Sequence, residues 1–167
     1  MNKVIVIGSG GAGKSTFSTQ LGQKLGIEVI HLDQLYWRPD WTKTPADEWN
    51  ATVAGLVTRD AWVMDGNFGG TRTMRIAACD TVIFLDMPRL VCLYRVIGRL
   101  IKYRGRKRPD MADGCREKFD PEFLAWVWTY PKRARPRILD ELASHSDKRI
   151  VILRSAREAE ALLRDAA

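Results

Sequence analysis

The sequence predicts an α/β fold, a three-layer arrangement in which a parallel sheet carries helices on both faces. Three observations carry this. Five short apolar runs recur along the 167 residues, at 4–7, 27–32, 62–64, 81–85 and 149–153. Helical patterns separate them, so successive strands are joined by crossovers and lie parallel. Between the first run and the first helix stands a glycine-rich turn, Gly8-Ser9-Gly10-Gly11-Ala12-Gly13-Lys14-Ser15.

The elements follow in order. Val4-Ile5-Val6-Ile7 is β-branched throughout, as a strand buried on both faces requires. Behind the glycine-rich turn, Phe17, Leu21 and Leu25 recur every four residues and mark one face of a helix. Residues 27–32 form the second strand. Thr44-Pro45-Ala46-Asp47 reads as a helix start, with Thr44 as N-cap, Pro45 in the first turn and Asp47 closing a capping box. Trp49, Val53, Leu56 and Val57 mark the apolar face of that helix. After the third strand a short helix is expected over 71–78. After the fourth, Pro88 opens a helix whose buried side is expected to hold Leu90, Leu93, Tyr94, Ile97, Leu100 and Ile101. Residues 103–118 are rich in Gly, Pro and charge and read as a mobile loop. Asp120-Pro121-Glu122 opens a long helix that Pro131 and Pro136 should kink or break. Ser155-Ala156-Arg157-Glu158 is a capping box for the last helix. No repeat, low-complexity tract or linker divides the chain, so one domain is expected over 1–167.

Composition narrows the function. A chain that is 46% hydrophobic and 28% charged is ordinary globular material. No apolar run approaches the ~20 residues that span a bilayer, and the chain enters its first strand with no room for a signal peptide. Cys79, Cys92 and Cys115 are an odd count without C-x-x-C spacing, and both histidines lie far from them. This argues against a metal site or a disulfide framework and fits buried or incidental thiols in a reducing cytoplasm.

The net charge of +7 is unevenly placed. Arg95, Arg99, Lys102, Arg104, Arg106, Lys107 and Arg108 fall within 95–108, which has no acid; Lys132, Arg133, Arg135 and Arg137 fall within 132–137. Without these eleven, sixteen basic residues face twenty acidic ones. The surplus belongs to two segments, as a phosphate clamp or a nucleic-acid patch would have it.

The glycine-rich turn supplies the chemistry. G-x-x-x-x-G-K-S between a strand and a helix is a phosphate-binding loop. The backbone N–H groups of Gly8, Ser9, Gly10, Gly11, Ala12, Gly13, Lys14, Ser15 and Thr16 converge near a helix N-terminus, where anions are favoured. Lys14 reaches the outer phosphates of ATP, and the Ser15 hydroxyl can ligate Mg²⁺. No N-K-x-D for guanine follows and the chain is too short for a helicase core, which leaves small kinases.

In parallel sheets ligands collect at the carboxyl ends of the strands. Asp65, after Trp62-Val63-Met64, can hold a Mg²⁺-bound water there, although Asp-Gly-Asn is also good turn chemistry. Asp86 is its rival, but Asp86-Met87-Pro88 also reads as a helix N-cap. Arg95 and Arg99 lie one turn apart and can grip a triphosphate, with one of the arginines of 133–137, such as Arg133, completing the clamp. At the end of strand two, Asp33 can orient a substrate hydroxyl or take its proton, with His31 on the same side of the strand. Tyr36, Trp37 and Trp41 can stack on a flat acceptor or simply pack in the core.

At this point the chain resembles the adenylate kinase family. Met64-Asp65-Gly66-Asn67 is similar to that family's Asp-Gly after the third strand. Residues 84–88 followed by Arg95-Val96-Ile97-Gly98-Arg99 are similar to its fourth strand and the R-x-x-G-R helix that leads into the lid. The resemblance implies strand order 2-3-1-4-5 and a lid over the donor nucleotide, here about 103–118. In detail the chain looks closer to an offshoot, the topology modulation proteins, through His31-Leu32-Asp33-x-x-Tyr36-Trp37-Arg38-Pro39, Asp65-Gly66-Asn67 and the helix with Trp126, Trp128 and Tyr130. That resemblance spans nearly the whole chain but defines no reaction. Two arginines with which adenylate kinases hold the acceptor's phosphate are replaced, at Tyr36 and Gly69. Arg38 or Arg72 can substitute for them; otherwise the acceptor is a hydroxyl compound, a nucleoside among them, that His31, Asp33, Tyr36, Trp37 and Asn67 would bind.

Two readings follow. One is a small-molecule kinase using Mg·ATP. The other is a nucleotide-dependent regulator that binds DNA or a protein through the basic segment; it is disfavoured because no DNA-reading motif is evident. The sequence sets no oligomeric state.

Overall fold

A computed structural model describes residues 1–106 and 110–166. Lys107 and Arg108 of the basic cluster therefore lie outside the described residues. Five strands form one parallel sheet: β1 (Lys3–Gly8), β2 (Val29–His31), β5 (Trp62–Asp65), β6 (Thr81–Leu85) and β7 (Arg149–Leu153), in the order β2-β5-β1-β6-β7. Counted within the sheet alone, that is 2-3-1-4-5. The other two strands, β3 (Trp37–Arg38) and β4 (Thr42–Lys43), make a separate antiparallel hairpin around a 3₁₀ turn at Pro39–Trp41. So short a pair carries no strand signal in the sequence.

Strand β1 explains why the sheet sits at the centre. Val4, Ile5, Val6 and Ile7 are all fully buried, and they alternate between two cores. Ile5 and Ile7 face a cluster with Trp49, Trp62, Met64, Ile76 and Phe84. Val4 and Val6 face Phe17, Leu21, Ile83, Val96 and Val127. Helices cover both faces: α1 (Lys14–Leu25), α3 (Ala46–Val57), α4 (Gly69–Ala78), α5 (Arg89–Lys102), α6 (Pro121–Arg133), α7 (Arg135–Ala143) and α8 (Ala156–Asp165). Among the described residues, no helix is long and apolar enough to cross a membrane.

Local departures from the expected elements have identifiable causes. Strand β2 stops at His31 because Leu32 opens a short helix, α2 (Leu32–Tyr36). Asp33 thus stands in a helical turn, not on the strand. Thr44 does not cap α3: its hydroxyl donates to the Tyr36 carbonyl at 2.6 Å and closes the hairpin, and α3 begins behind Pro45 with no side-chain cap. Asp86 does not cap α5 either, because its carboxylate takes a two-pronged hydrogen bond from Arg135 (2.8 and 2.9 Å). Asp120 does cap α6, accepting from the Phe123 N–H at 3.1 Å. The proline-rich helix breaks at Ala134, between α6 and α7. Ser155 caps α8 by accepting from the Glu158 N–H.

Helix α5 differs most. Its buried residues are Cys92 and Val96, whereas Leu90, Tyr94, Ile97 and Ile101, expected inside, are exposed. The described part of 103–118 differs too. Met111, Cys115 and Glu117 are buried, and this stretch docks on the 3₁₀ turn. The Trp41 indole donates to the Arg116 carbonyl, the Cys115 thiol to the Arg38 carbonyl and the Asp40 N–H to the Gly114 carbonyl.

Candidate active site

The carboxyl ends of β1 and β2 open into a cavity of about 1400 Å³. One wall is the phosphate-binding loop. Gly11 and Gly13 have left-handed backbones (φ 76° and 95°), which turns the chain sharply into α1. Gly11 is also closed to any side chain, because a Cβ there would strike the Cys92 carbonyl of α5. The Lys14 ammonium donates to the carbonyls of Gly8 and Ser9, each at 3.0 Å, and so arches back over its own loop. Burial pushes the Lys14 amine below its ordinary pKa, against the pull of the Asp33 and Asp65 carboxylates. An anion in the loop would restore the charge that burial disfavours.

The loop is held from behind. Asn67 receives the Gly8 N–H on its Oδ1 at 3.0 Å and donates from Nδ2 to the Gly8 carbonyl at 2.7 Å. Arg75, fully buried, fixes the turn that carries Asn67, donating to the carbonyls of Gly66, Asn67 and Phe68. Desolvation pulls the Arg75 pKa down to about 10, so it stays charged at neutral pH. Asn67, expected to bind substrate, is turned instead onto Gly8 as a brace for the loop. Arg75 carried no signal, because arginine on a short helix reads as surface.

The opposite wall comes from α2 and the hairpin. His31, Asp33, Tyr36, Trp37 and Trp41 all line the cavity. Asp33 accepts a hydrogen bond from the Trp37 indole at 3.1 Å, which orients its carboxylate. Tyr36 meets Trp37 and Trp49 edge-on, with centroids 5.0 and 5.1 Å apart, and packs against Phe68. These aromatics therefore pack on one another while lining the cavity.

His31 and Asp65 are register partners on neighbouring strands, and His31 Nδ1 lies 3.0 Å from the Asp65 carboxylate. That hydrogen bond raises the His31 pKa and favours the imidazolium. Asp65 itself is buried and lies behind His31, outside the cavity lining. At the cavity the Ser15 hydroxyl instead donates to Asp110 at 3.0 Å. Serine and carboxylate oxygens are hard donors that suit Mg²⁺, which characteristically takes one or two carboxylates and leaves other positions to phosphate and water. Among the described residues no cluster of three or more His, Cys, Asp or Glu is placed to hold a metal ion.

The arginines divide. Arg95 reaches over the loop and donates to the Ala12 carbonyl at 3.1 Å. Arg99 lines the cavity but pairs with the buried Glu117 at 2.8 Å. Arg38 pairs with Glu48 on the outside, and Arg72 pairs with Glu141, so neither lines the cavity. Arg133 ends α6 outside the lining, whereas Arg135 holds Asp86 at the end of β6. The sequence offered no route to Glu117 or Asp110, which reach the site from 103–118.

No protein-family model matches the chain, nor does any curated protein. Solved structures do share its fold. A shikimate kinase from Acinetobacter baumannii, in complex with shikimate, has a TM-score of 0.61 over 99% of this chain and 90% of that one, at 17% identity. A shikimate kinase from Bacteroides thetaiotaomicron gives 0.60 over 97% and 94%, at 14% identity. A gluconokinase from Sinorhizobium meliloti 1021 gives 0.57 over 99% and 89%, at 16% identity. The chain thus has the α/β fold of P-loop kinases.

Proposed function

We propose that the chain is a kinase that transfers the γ-phosphoryl group of Mg·ATP to a hydroxyl of a small acceptor. The observation that carries this is a single cavity with a phosphate-binding loop on one wall and an oriented carboxylate among aromatic rings on the other. The fold neighbours named for shikimate and gluconate kinases support a hydroxyl acceptor without a phosphate of its own. So does the pairing of Arg38 with Glu48 and of Arg72 with Glu141, both outside the cavity lining. The motifs shared with adenylate kinases and topology modulation proteins agree with the loop and the strand ends, and add no acceptor.

In this reading the loop N–H groups and Lys14 hold the outer phosphates, and Arg95 lies beside them. Asp33 accepts the hydrogen bond of the acceptor hydroxyl and takes its proton as the oxygen bonds to the γ-phosphorus and the bond to the β-phosphate oxygen breaks. Tyr36, Trp37 and Trp41 flank the acceptor. Mg²⁺, when bound, offsets phosphate charge; Ser15 and Asp110 are the oxygen donors that would hold it, and Asp65 stands behind His31. Residues 103–118 act as the lid of a one-domain enzyme and exclude water.

The test is a panel of nucleosides, sugars and hydroxy acids incubated with labelled ATP and Mg²⁺. A phosphorylated acceptor is expected, with turnover reduced at least ~100-fold in Asp33→Asn. Label released only as inorganic phosphate across the panel would defeat the kinase reading.

A further inference from the structure

Helix α5 is apolar on the side that this chain does not cover. Leu90, Tyr94, Ile97 and Ile101 are spaced four, three and four residues apart, the interval of a coiled-coil seam. They are 67%, 80%, 49% and 75% exposed. The helix meets its own core through Cys92 and Val96, buried on the opposite side, with Leu93 and Leu100 packed partly against the same cluster. A helix apolar on two opposite faces belongs between two partners, and the described residues cover one of them.

We infer that this stripe is where a second copy of the chain docks, helix α5 against helix α5. Three features favour self-pairing. The positions flanking the seam, Val91 and Gly98 on one side and Leu93 and Leu100 on the other, are uncharged, so two copies meet without like charges opposed. Arg95 and Arg99 turn away, one to the loop and the other to Glu117. Gly98 stands in the exposed middle of the helix, where a Cβ would meet nothing within 4 Å. A mid-helix glycine costs about 1 kcal/mol relative to alanine, and its own fold makes no use of it. Beside Ile97 at the flank of the seam, it lets a second backbone approach closely.

The area is sufficient. Covering Leu90, Val91, Tyr94, Ile97 and Ile101 removes roughly 600 Å² per copy, hence about 1,200 Å² in all before a polar rim is counted, the lower bound of specific interfaces. The pairing is isologous, so a residue near the two-fold axis faces its own counterpart. Ile97 lies closest to the middle of the stripe.

The experiment is sedimentation velocity on the full chain at ~1–100 μM, beside Tyr94→Lys/Ile101→Lys and single-cysteine cross-linking. Wild type is expected to sediment at twice the chain mass, and the double variant to dissociate at least ~100-fold more readily while keeping its circular dichroism. Ile97→Cys is expected to form a disulfide-linked dimer under mild oxidation and Asp147→Cys, on a distant exposed turn, to remain monomeric; the three native cysteines are buried. A wild-type monomer at ~100 μM overturns the inference, including one that instead sediments with vesicles of anionic lipid. So does a dimer indifferent to both lysines. Should the double variant unfold, the cross-link at 97 decides alone.

Discussion

Gly8 is pinned from outside the loop by one side chain, Asn67, which both donates to it and accepts from it. Asn67→Ala leaves two part-buried backbone groups without that partner, a loss of roughly 1–3 kcal/mol. We expect a lower melting temperature and weaker binding of an ATP analogue together, read by thermal melts and titration. Lys14→Ala separates the two effects. Its ammonium donates to the loop carbonyls of Gly8 and Ser9, so the fold should survive while turnover falls at least ~100-fold. Wild-type turnover in that variant would mean the loop is not where the phosphates bind. Asp86 makes the converse case. Its bidentate pair with Arg135 joins the end of β6 to α7, so Asp86→Asn should lower stability by roughly 1–3 kcal/mol and leave affinity for an ATP analogue within a few-fold. A chemical denaturation curve and the same titration check both halves.

At the scale of elements, the five sheet strands and the capped starts of α6 and α8 were legible because their signals are local: apolar runs, Asp before Pro, Ser three residues before Glu. The hairpin of β3 and β4 was not legible, since two-residue strands have no period to read. Neither was the docking of residues 111–117. Its charge and glycines suggest a free loop, but Met111, Cys115 and Glu117 find partners far away in sequence. The position of Asp33 was misread because β2 ends at His31, where Leu32 opens α2. Helix α5 was read correctly as apolar and wrongly as covered. A test of the docked segment follows from Gly114. Its backbone is left-handed (φ 80°), and a Cβ there would come within 2.9 Å of Pro39. Gly114→Val should lift the segment from the 3₁₀ turn and speed labelling of Cys115 by a thiol reagent at least ~10-fold. Cys79 is an internal control: burial pushes its pKa up to about 11, so it should stay slow in both proteins. An ATP analogue should slow Cys115 labelling in the wild type. Labelling indifferent to both glycine and nucleotide would remove 103–118 from the role of lid.

Over the whole molecule, the net charge of +7 gives the kinase and DNA-binding readings their sharpest contrast. Counting residues makes the eleven clustered bases look available to a duplex. The structure engages several of them locally. Arg99 pairs with Glu117, Arg135 with Asp86, and Arg95 bonds the loop at Ala12. Arg95 and Arg99 also line a concave cavity, which a triphosphate can enter and a rigid duplex about 20 Å wide cannot. The sixteen remaining bases are outnumbered by twenty acids, so the rest of the surface repels phosphate. Each DNA phosphate contact contributes about 0.9 to the slope of log K against log salt. A protein with few contacts to offer should therefore show a shallow slope and weak binding. We expect duplex affinity weaker than ~10 μM at ~0.15 M salt, without sequence preference, and reduced further by Mg·ATP, which competes for Arg95. Fluorescence anisotropy with labelled duplexes, at several salt concentrations and with or without Mg·ATP, measures all three. Sub-micromolar, sequence-selective binding that persists with saturating Mg·ATP would place the function on the outer surface instead of in the cavity.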